Sequence, residues 1–217
     1  MIQEIVDGAD AHMANSIAVF GDELHRQDAK VVSFRAIYGG SAYAFFMDKN
    51  MPNFKLSKWE EIHAAFYAKY NVLGSWQNTN YELVCKQGWL QSFTGRVFVF
   101  KLAQSWDGGW QYSKPQVCNY IVQGTATGDL IPLVMVQIYK KLRQLELFDI
   151  KIINQVHDSL VFDCPKKDVD KLAEVCYYYF RRLPQTIKEF FGYDWKTPMD
   201  GEVKVGYNWS EMQKIKM

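Results

Sequence analysis

The sequence carries almost no excess charge of either sign, no paired cysteine motif and no long unbroken apolar run. Lysine plus arginine number 25 against 24 aspartate plus glutamate, a formal charge of +1. That balance excludes the bulk electrostatic attraction by which strongly basic domains collect nucleic acid, so any anion recognition has to be local. The four cysteines, Cys85, Cys118, Cys164 and Cys176, form no C-x-x-C and no metal-ligand spacing. They read as reduced side chains of a cytoplasmic protein and not as a disulfide framework. The longest apolar run, around "LIPLVMVQIY", is too short to span a bilayer, and no segment reads as a signal peptide. Repeats, low-complexity tracts and obvious linkers are missing too, so the expectation is a soluble protein with no membrane partner.

What is present is a chain of 217 residues, long enough for one large or two small domains, with 16% aromatic residues to fill a core. Helical periodicity is expected over residues 1–20, then from Asp22 as N-cap to Gly39-Gly40. "SKWE" at 57–60 reads as a capping box opening a helix that runs to about Tyr70. "GWLQSFTGRVFVFK" reads as a hairpin turning near Thr94-Gly95, and "QSWDGGWQYSKP" as a loop. A long helix is expected from about Gln116 to Leu145, bent at "QGTATG". "IKIINQVHDSLVFDCP" reads as a hairpin with His157-Asp158 at its join, followed by helices over 166–183 and 185–191 and a closing strand in "GEVKVGYNW". The order points to an α+β fold, a helical lobe followed by an antiparallel α+β lobe.

Within the second helix, Arg26, Lys30, Phe34 and Tyr38 recur at intervals of four, which lines them along one side. Two cations at a helix N-terminus oppose the helix dipole, so their placement calls for an anion to hold. A triphosphate fits, with Arg26 offering a planar fork and Lys30 a point charge, while Phe34 and Tyr38 face a sugar and a base. The plainer alternative makes Arg26 and Lys30 solvated charges and turns Phe34, Ile37 and Tyr38 to the core. Asp158 sits where two apolar strands meet, a position suited either to an ordinary turn or to a carboxylate holding Mg2+ in a phosphoryl-transfer site. Asn119 and Gln123, four apart in "NYIVQGTATGD", present two amides on one helix face. That pair is suited either to acceptors in a nucleic-acid minor groove or to backbone groups at a bend.

Taken together, these segments resemble the family A, or polymerase I-like, DNA polymerases. Arg26, Lys30, Phe34, Tyr38 and Gly39 are similar to that family's fingers-helix motif, and "GADAHMANSIAVFG" to the stretch whose histidine, here His12, approaches the nucleotide phosphates. "NYIVQGTA" resembles its palm helix, "QVHDSLV" its metal-binding hairpin, and "VKVGYNWSEM" its closing strand. "CNYIVQGTATGDLIPLV" is most similar to bacteriophage members, which would place the protein in a host cytoplasm. Three positions depart from the family's common pattern: Arg35 in place of glycine, Ser159 in place of glutamate, and Pro115 in place of a basic residue.

The resemblance implies a helical fingers lobe over 1–105 and the C-terminal part of an antiparallel-sheet polymerase palm over 106–217. It implies template-directed transfer of a deoxynucleotide to a primer 3′-hydroxyl with two Mg2+ ions. Asp158, Lys30 and His157 form the implied catalytic set, with Asp158 the metal ligand. His12, Arg26, Lys30, Phe34 and Tyr38 would bind the deoxynucleoside triphosphate, and Asn119, Gln123 and His157 the primer–template. The family's first metal-binding aspartate, its thumb and the rest of its palm belong to a segment preceding the one that opens this chain. Asp163 has the wrong context to replace that aspartate. The expectation is therefore a chain inactive by itself, completed by an N-terminal polymerase fragment on a separate polypeptide that shares one of the metals. The alternative is a non-catalytic DNA- or nucleotide-binding component, or a scaffold, of a phage replication complex.

Overall fold

The computed structural model describes residues 2–8, 10–22, 24–105 and 108–215. The chain divides into two compact units, Met1–Gln123 and Gly124–Met217, and each is described by itself. The α+β expectation holds: helices dominate, and among the described residues every sheet is a two-stranded antiparallel pair.

The first unit opens with α1 (Ile2–Val6) and α2 (Ala11–Phe20). The single helical stretch expected over 1–20 is broken between them. Gly8 takes a φ of +67°, and the Asp10 carboxylate accepts from the backbone N–H groups of His12 and Met13, starting a new helix. The next helix, α3 (Arg26–Ile37), starts later than expected. Asp22 is not its N-cap; its carboxylate accepts from the backbone of Leu24 and His25, closing a turn ahead of the helix. Ala29, Val32, Ser33 and Ala36 form the buried face of α3, and Gly39 at φ +74° lets the chain leave its end.

A short α4 (Ala42–Phe46), capped by Ser41, leads to α5 (Leu56–Lys69) and α6 (Asn71–Gln87). The capping box expected at Ser57–Glu60 does not form. Lys55 occupies the N-cap and Ser57 lies inside the first turn, because the extended residue before the helix comes earlier than the motif places it. Trp59, wholly buried, centres the core here, with the Phe45 and Phe54 rings both 5.4 Å from its own. The hairpin turning near Gly95 is present as β1 (Trp89–Gln91) and β2 (Val97–Val99). The expected loop after it contains a further small hairpin, β3 (Ala103–Gln104) with β4 (Trp110–Gln111). Trp106 and Asp107 of that loop lie outside the described residues. Helix α7 (Lys114–Thr125) follows.

The long helix expected from about Gln116 is helical from Lys114 to Gln144. Its expected bend is a π-helical segment, Ala126–Leu130, before α8 (Ile131–Gln144). Two glycines and small side chains weaken the i→i−4 ladder at this point. At 31 residues the whole helix is long and apolar enough to cross a membrane by length and composition, which the unbroken apolar run alone does not reveal. Val134, Ile138 and Leu142 of α8 are nevertheless wholly buried inside the protein.

In the second unit, β5 (Lys151–Val156) pairs with β6 (Ser159–Asp163) in the expected hairpin. A 3-10 turn at Lys166–Asp168 leads into α9 (Val169–Arg181), and α10 (Leu183–Phe191) ends at Gly192. The closing strand is shorter than expected: β7 (Lys204–Val205), paired with β8 (Gln213–Lys214).

Candidate nucleotide and metal site

The buried face of α3 departs from the plainer reading at Phe34 and keeps to it at Ile37, which packs against the core of Ala36, Phe66 and Tyr70. Ala29, Val32, Ser33 and Ala36 take the core positions, and the row Arg26–Lys30–Phe34–Tyr38 is rotated away from them. Phe34, which the plainer reading turned inward, is 44% exposed. An apolar ring held outward beside the Lys30 ammonium is not how a core face is built.

His12 of α2 joins this row. Its ring centroid lies 5.7 Å from that of Phe34, and the Lys30 ammonium lies 6.0 Å from the Phe34 ring on the same residue row. Burial, and then the positive charge of Arg26, pull the His12 pKa below its ordinary value; Lys30 adds to this and Asp10 opposes it. The imidazole is therefore neutral at pH 7, with its Nδ1 atom buried and unbonded. Arg26 already has a carboxylate, since its Nε donates to Asp10 at 2.8 Å. Asp10 in turn caps α2, so the ion pair ties the start of α3 to the start of α2. The pair is exposed, and such pairs are weak enough for a multiply charged anion to compete. Lys30 has no carboxylate partner among the described residues. His12 and Lys30 thus flank one exposed phenyl ring, and the charges of Arg26, Lys30 and Asp10 all act on His12.

The other end of α3 is held more firmly. The hydroxyl of Tyr38 accepts from Gln123 Nε2 at 3.0 Å, joining the stripe to α7. Asn119 lies one turn earlier on the same helix, half-buried. A Cβ placed on Gly39 would come within 3.0 Å of Cys118 Sγ, so glycine permits both the positive φ and the approach to α7. Arg35 pairs with Asp48 and sets its guanidinium 5.6 Å from the Phe45 ring centroid. That residue clasps α3 to the segment after α4, where a glycine could make no such contact.

Ser33 and Asn15 are the buried polar groups beneath the stripe. Asn15 Nδ2 donates to Ser33 Oγ at 3.0 Å, and Asn15 Oδ1 accepts from Lys69 Nζ and Tyr70 Oη at 2.8 and 3.0 Å. Lys69 also pairs with Glu4 at 2.9 Å, and this bond is the main cause holding the Glu4 pKa down to about 2. The network fixes α1, α2, α3 and α5 to one another, and sequence reasoning missed all of it.

In the second unit, His157 and Asp158 form the two-residue turn of the β5–β6 hairpin, with Val156 facing Ser159 across it. All three of His157, Asp158 and Ser159 are exposed. His157 has φ +51°, a conformation that costs a non-glycine residue about 1–3 kcal/mol and collects at functional sites. Gln155 Nε2 donates to the Thr127 carbonyl at 2.8 Å, so the hairpin is tied to the π segment next to its turn. The Asp158 carboxylate is a hard oxygen donor of the kind that Mg2+ takes. Among the described residues no group of three or more His, Cys, Asp and Glu could hold a metal, so Asp158 stands there without a ligand set.

The family model for DNA polymerase family A matches residues 1–211. The chain belongs to DNA polymerase family A. Among similar family A proteins, the thermostable DNA polymerase I of Thermus aquaticus is 26% identical over 219 residues, covering 96% of this chain and 24% of the relative. DNA polymerase I of Caldicellulosiruptor bescii is 26% identical over 220 residues, covering 97% and 24%. The chain therefore spans about a quarter of the length of the curated relatives it matches. In fold it is similar to the polymerase domain of Pol1 from M. smegmatis, solved in complex with DNA primer–template and dNTP. The TM-score is 0.74 at 17% identity, over 92% of this chain and 34% of that one.

Proposed function

We propose that this chain is the fingers and C-terminal palm portion of a family A DNA polymerase that adds deoxynucleotides to a primer 3′-hydroxyl. On this reading residues 1–105 are fingers and 106–217 palm, acting on DNA in the cytoplasm. The observation that carries the proposal is the pairing of His12 and the Lys30 ammonium with the exposed Phe34 ring, with the charge of Arg26 acting on the same His12, in a chain of this family.

The division of labour follows from the side chains. Arg26 and Lys30 neutralise the triphosphate, with Arg26 exchanging the Asp10 carboxylate for phosphate oxygens. Neutral His12 offers its N–H to a phosphate oxygen without adding a fixed charge. Phe34 packs on the sugar. Its ring lacks a hydroxyl that could replace a missing 3′-hydroxyl, so discrimination against dideoxynucleotides follows. Tyr38 closes the pocket beside the base. Asn119 and Gln123 face the primer–template from α7, and His157 lies by the primer terminus. Asp158 would hold divalent metal, whose chemistry when bound would be charge neutralisation at the phosphate and activation of the hydroxyl. A two-metal site would need more than one carboxylate, of which Asp158 would supply one. The remaining carboxylate would come from polypeptide that carries the preceding palm strand, the thumb and the rest of the palm.

Primer extension tests this directly. The chain alone should extend a labelled primer negligibly, and adding a polypeptide with the family's preceding palm strand and thumb should restore extension. Asp158→Ala should abolish the restored activity. Robust extension by the chain alone would refute the need for a second polypeptide, and full activity of Asp158→Ala would refute the role of Asp158.

A further inference from the structure

The last turn of any helix leaves carbonyl oxygens without partners inside the helix. At the end of α3 these are met by side chains of two other helices. Gln77 Nε2, from α6, donates to the carbonyls of both Ala36 and Ile37 at 2.8 Å. The Tyr67 hydroxyl, from α5, lies 2.8 Å from the Ala36 carbonyl and 2.7 Å from Gln77 Oε1, so its one proton serves either acceptor. The next exposed carbonyl, that of Gly40, lies 3.0 Å from His63 Nε2.

Gln77 is wholly buried, at 0% exposure, in line with Leu73 and Val84 on the inward side of α6. A leucine would satisfy that position more cheaply, because burying an amide costs free energy unless its groups are bonded. Here every hydrogen bond the amide makes goes to the end of α3 or to Tyr67. Ile37, whose carbonyl Gln77 holds, is joined directly to Tyr38. Tyr38 is thus fixed twice, at its backbone through Gln77 and at its hydroxyl through Gln123.

We infer that Gln77 is a positioning residue that sets the nucleoside-facing end of α3 independently of the phosphate-facing end. The inference rests on the nucleotide reading above and adds that the two halves of the ligand are read by separable parts of the protein. Arg26 and Lys30 lie two to three turns from the Gln77 contacts and are oriented by Asp10 and by the α2–α3 packing. Tyr38 depends on the socket.

Two probes separate the halves: dATP carries both, and inorganic tripolyphosphate carries only the anion. Equilibrium titrations of each should be made with the full chain, its Gln77→Met and its Tyr67→Phe variants. In Gln77→Met the affinity for dATP should fall about tenfold, the scale of two lost bonds to buried carbonyls, while tripolyphosphate changes by less than about twofold. Tyr67→Phe should shift the same ratio in the same direction by a smaller factor, and carries the test if Gln77→Met does not fold. Equal weakening of both probes would make Gln77 an ordinary structural residue and overturn the inference, as would no change in either. Failure of the wild-type chain to bind either probe would instead overturn the nucleotide reading itself.

Discussion

Replacing Lys30 by methionine keeps the length and the apolar stem of the side chain and removes only its charge. Among the described residues the ammonium has no carboxylate partner, and its one described contact is with the Phe34 ring at 6.0 Å. No buried group is orphaned by the change, so stability should move by less than about 0.5 kcal/mol, as for other surface positions. A charged hydrogen bond to phosphate is worth about 1.5–3 kcal/mol, which converts to a roughly 10- to 150-fold loss in dNTP affinity. Isothermal titration with dATP and Mg2+ measures this, beside urea denaturation of the same samples. A second readout comes from His12, whose pKa Lys30 helps to hold down; in Lys30→Met it should rise, as followed by NMR of the ring protons. Arg26→Met should lose more dATP affinity than Lys30→Met, because it also leaves the Asp10 carboxylate unpaired beside the anion. Unchanged dATP affinity in a stably folded Lys30→Met protein would refute the assignment of the stripe to phosphate.

Four further outcomes follow from the same contacts. Because His12 is held neutral below its ordinary pKa and a bound triphosphate raises that pKa, dATP should bind more tightly as pH falls from 8 to 6, and His12→Gln should flatten the profile. Glu4, with its pKa lowered from 4.5 to about 2, contributes stability that is fully present above pH 4.5 and lost as pH falls towards 2. Urea melts of wild type and Glu4→Gln should therefore differ at pH 7 and converge in acid. Trp59→Ala empties the centre of the aromatic core and should cost about 3–5 kcal/mol; Trp59→Phe also gives up an indole N–H that is buried without a partner, so it should cost markedly less. Gly39→Ala meets both a φ of +74° and Cys118 Sγ at 3.0 Å, and should destabilise the fold by more than the about 1 kcal/mol typical of point mutants.

What the sequence made legible was periodic or punctuated. The hairpins at Gly95 and at His157-Asp158, the break in the long helix at "QGTATG" and the outward stripe of α3 all rest on spacing that survives folding. Capping was less readable, because Asp22 and Ser57 carry the right side chains one turn or one residue from where the backbone starts its helix. The polar network under the stripe was not readable at all. Asn15, Ser33, Lys69 and Glu4 come from four helices, and nothing local announces that they meet. Gln77 is the same case: an amide in an apolar row marks a partner without saying which. Arg35 shows in the sequence only as a departure from the family's glycine, and its partners, Asp48 and Phe45, lie in the following segment.

The central claim is that the outward row of α3 grips the triphosphate, and photo-crosslinking tests it most directly. A dATP carrying an aryl azide on its γ-phosphate should be irradiated with the protein and the labelled peptides mapped by mass spectrometry. The account predicts labelling of the Arg26–Phe34 segment and of the α2 peptide holding His12, competed away by unmodified dATP. Competable labelling confined to other segments, with α2 and α3 untouched, would contradict it.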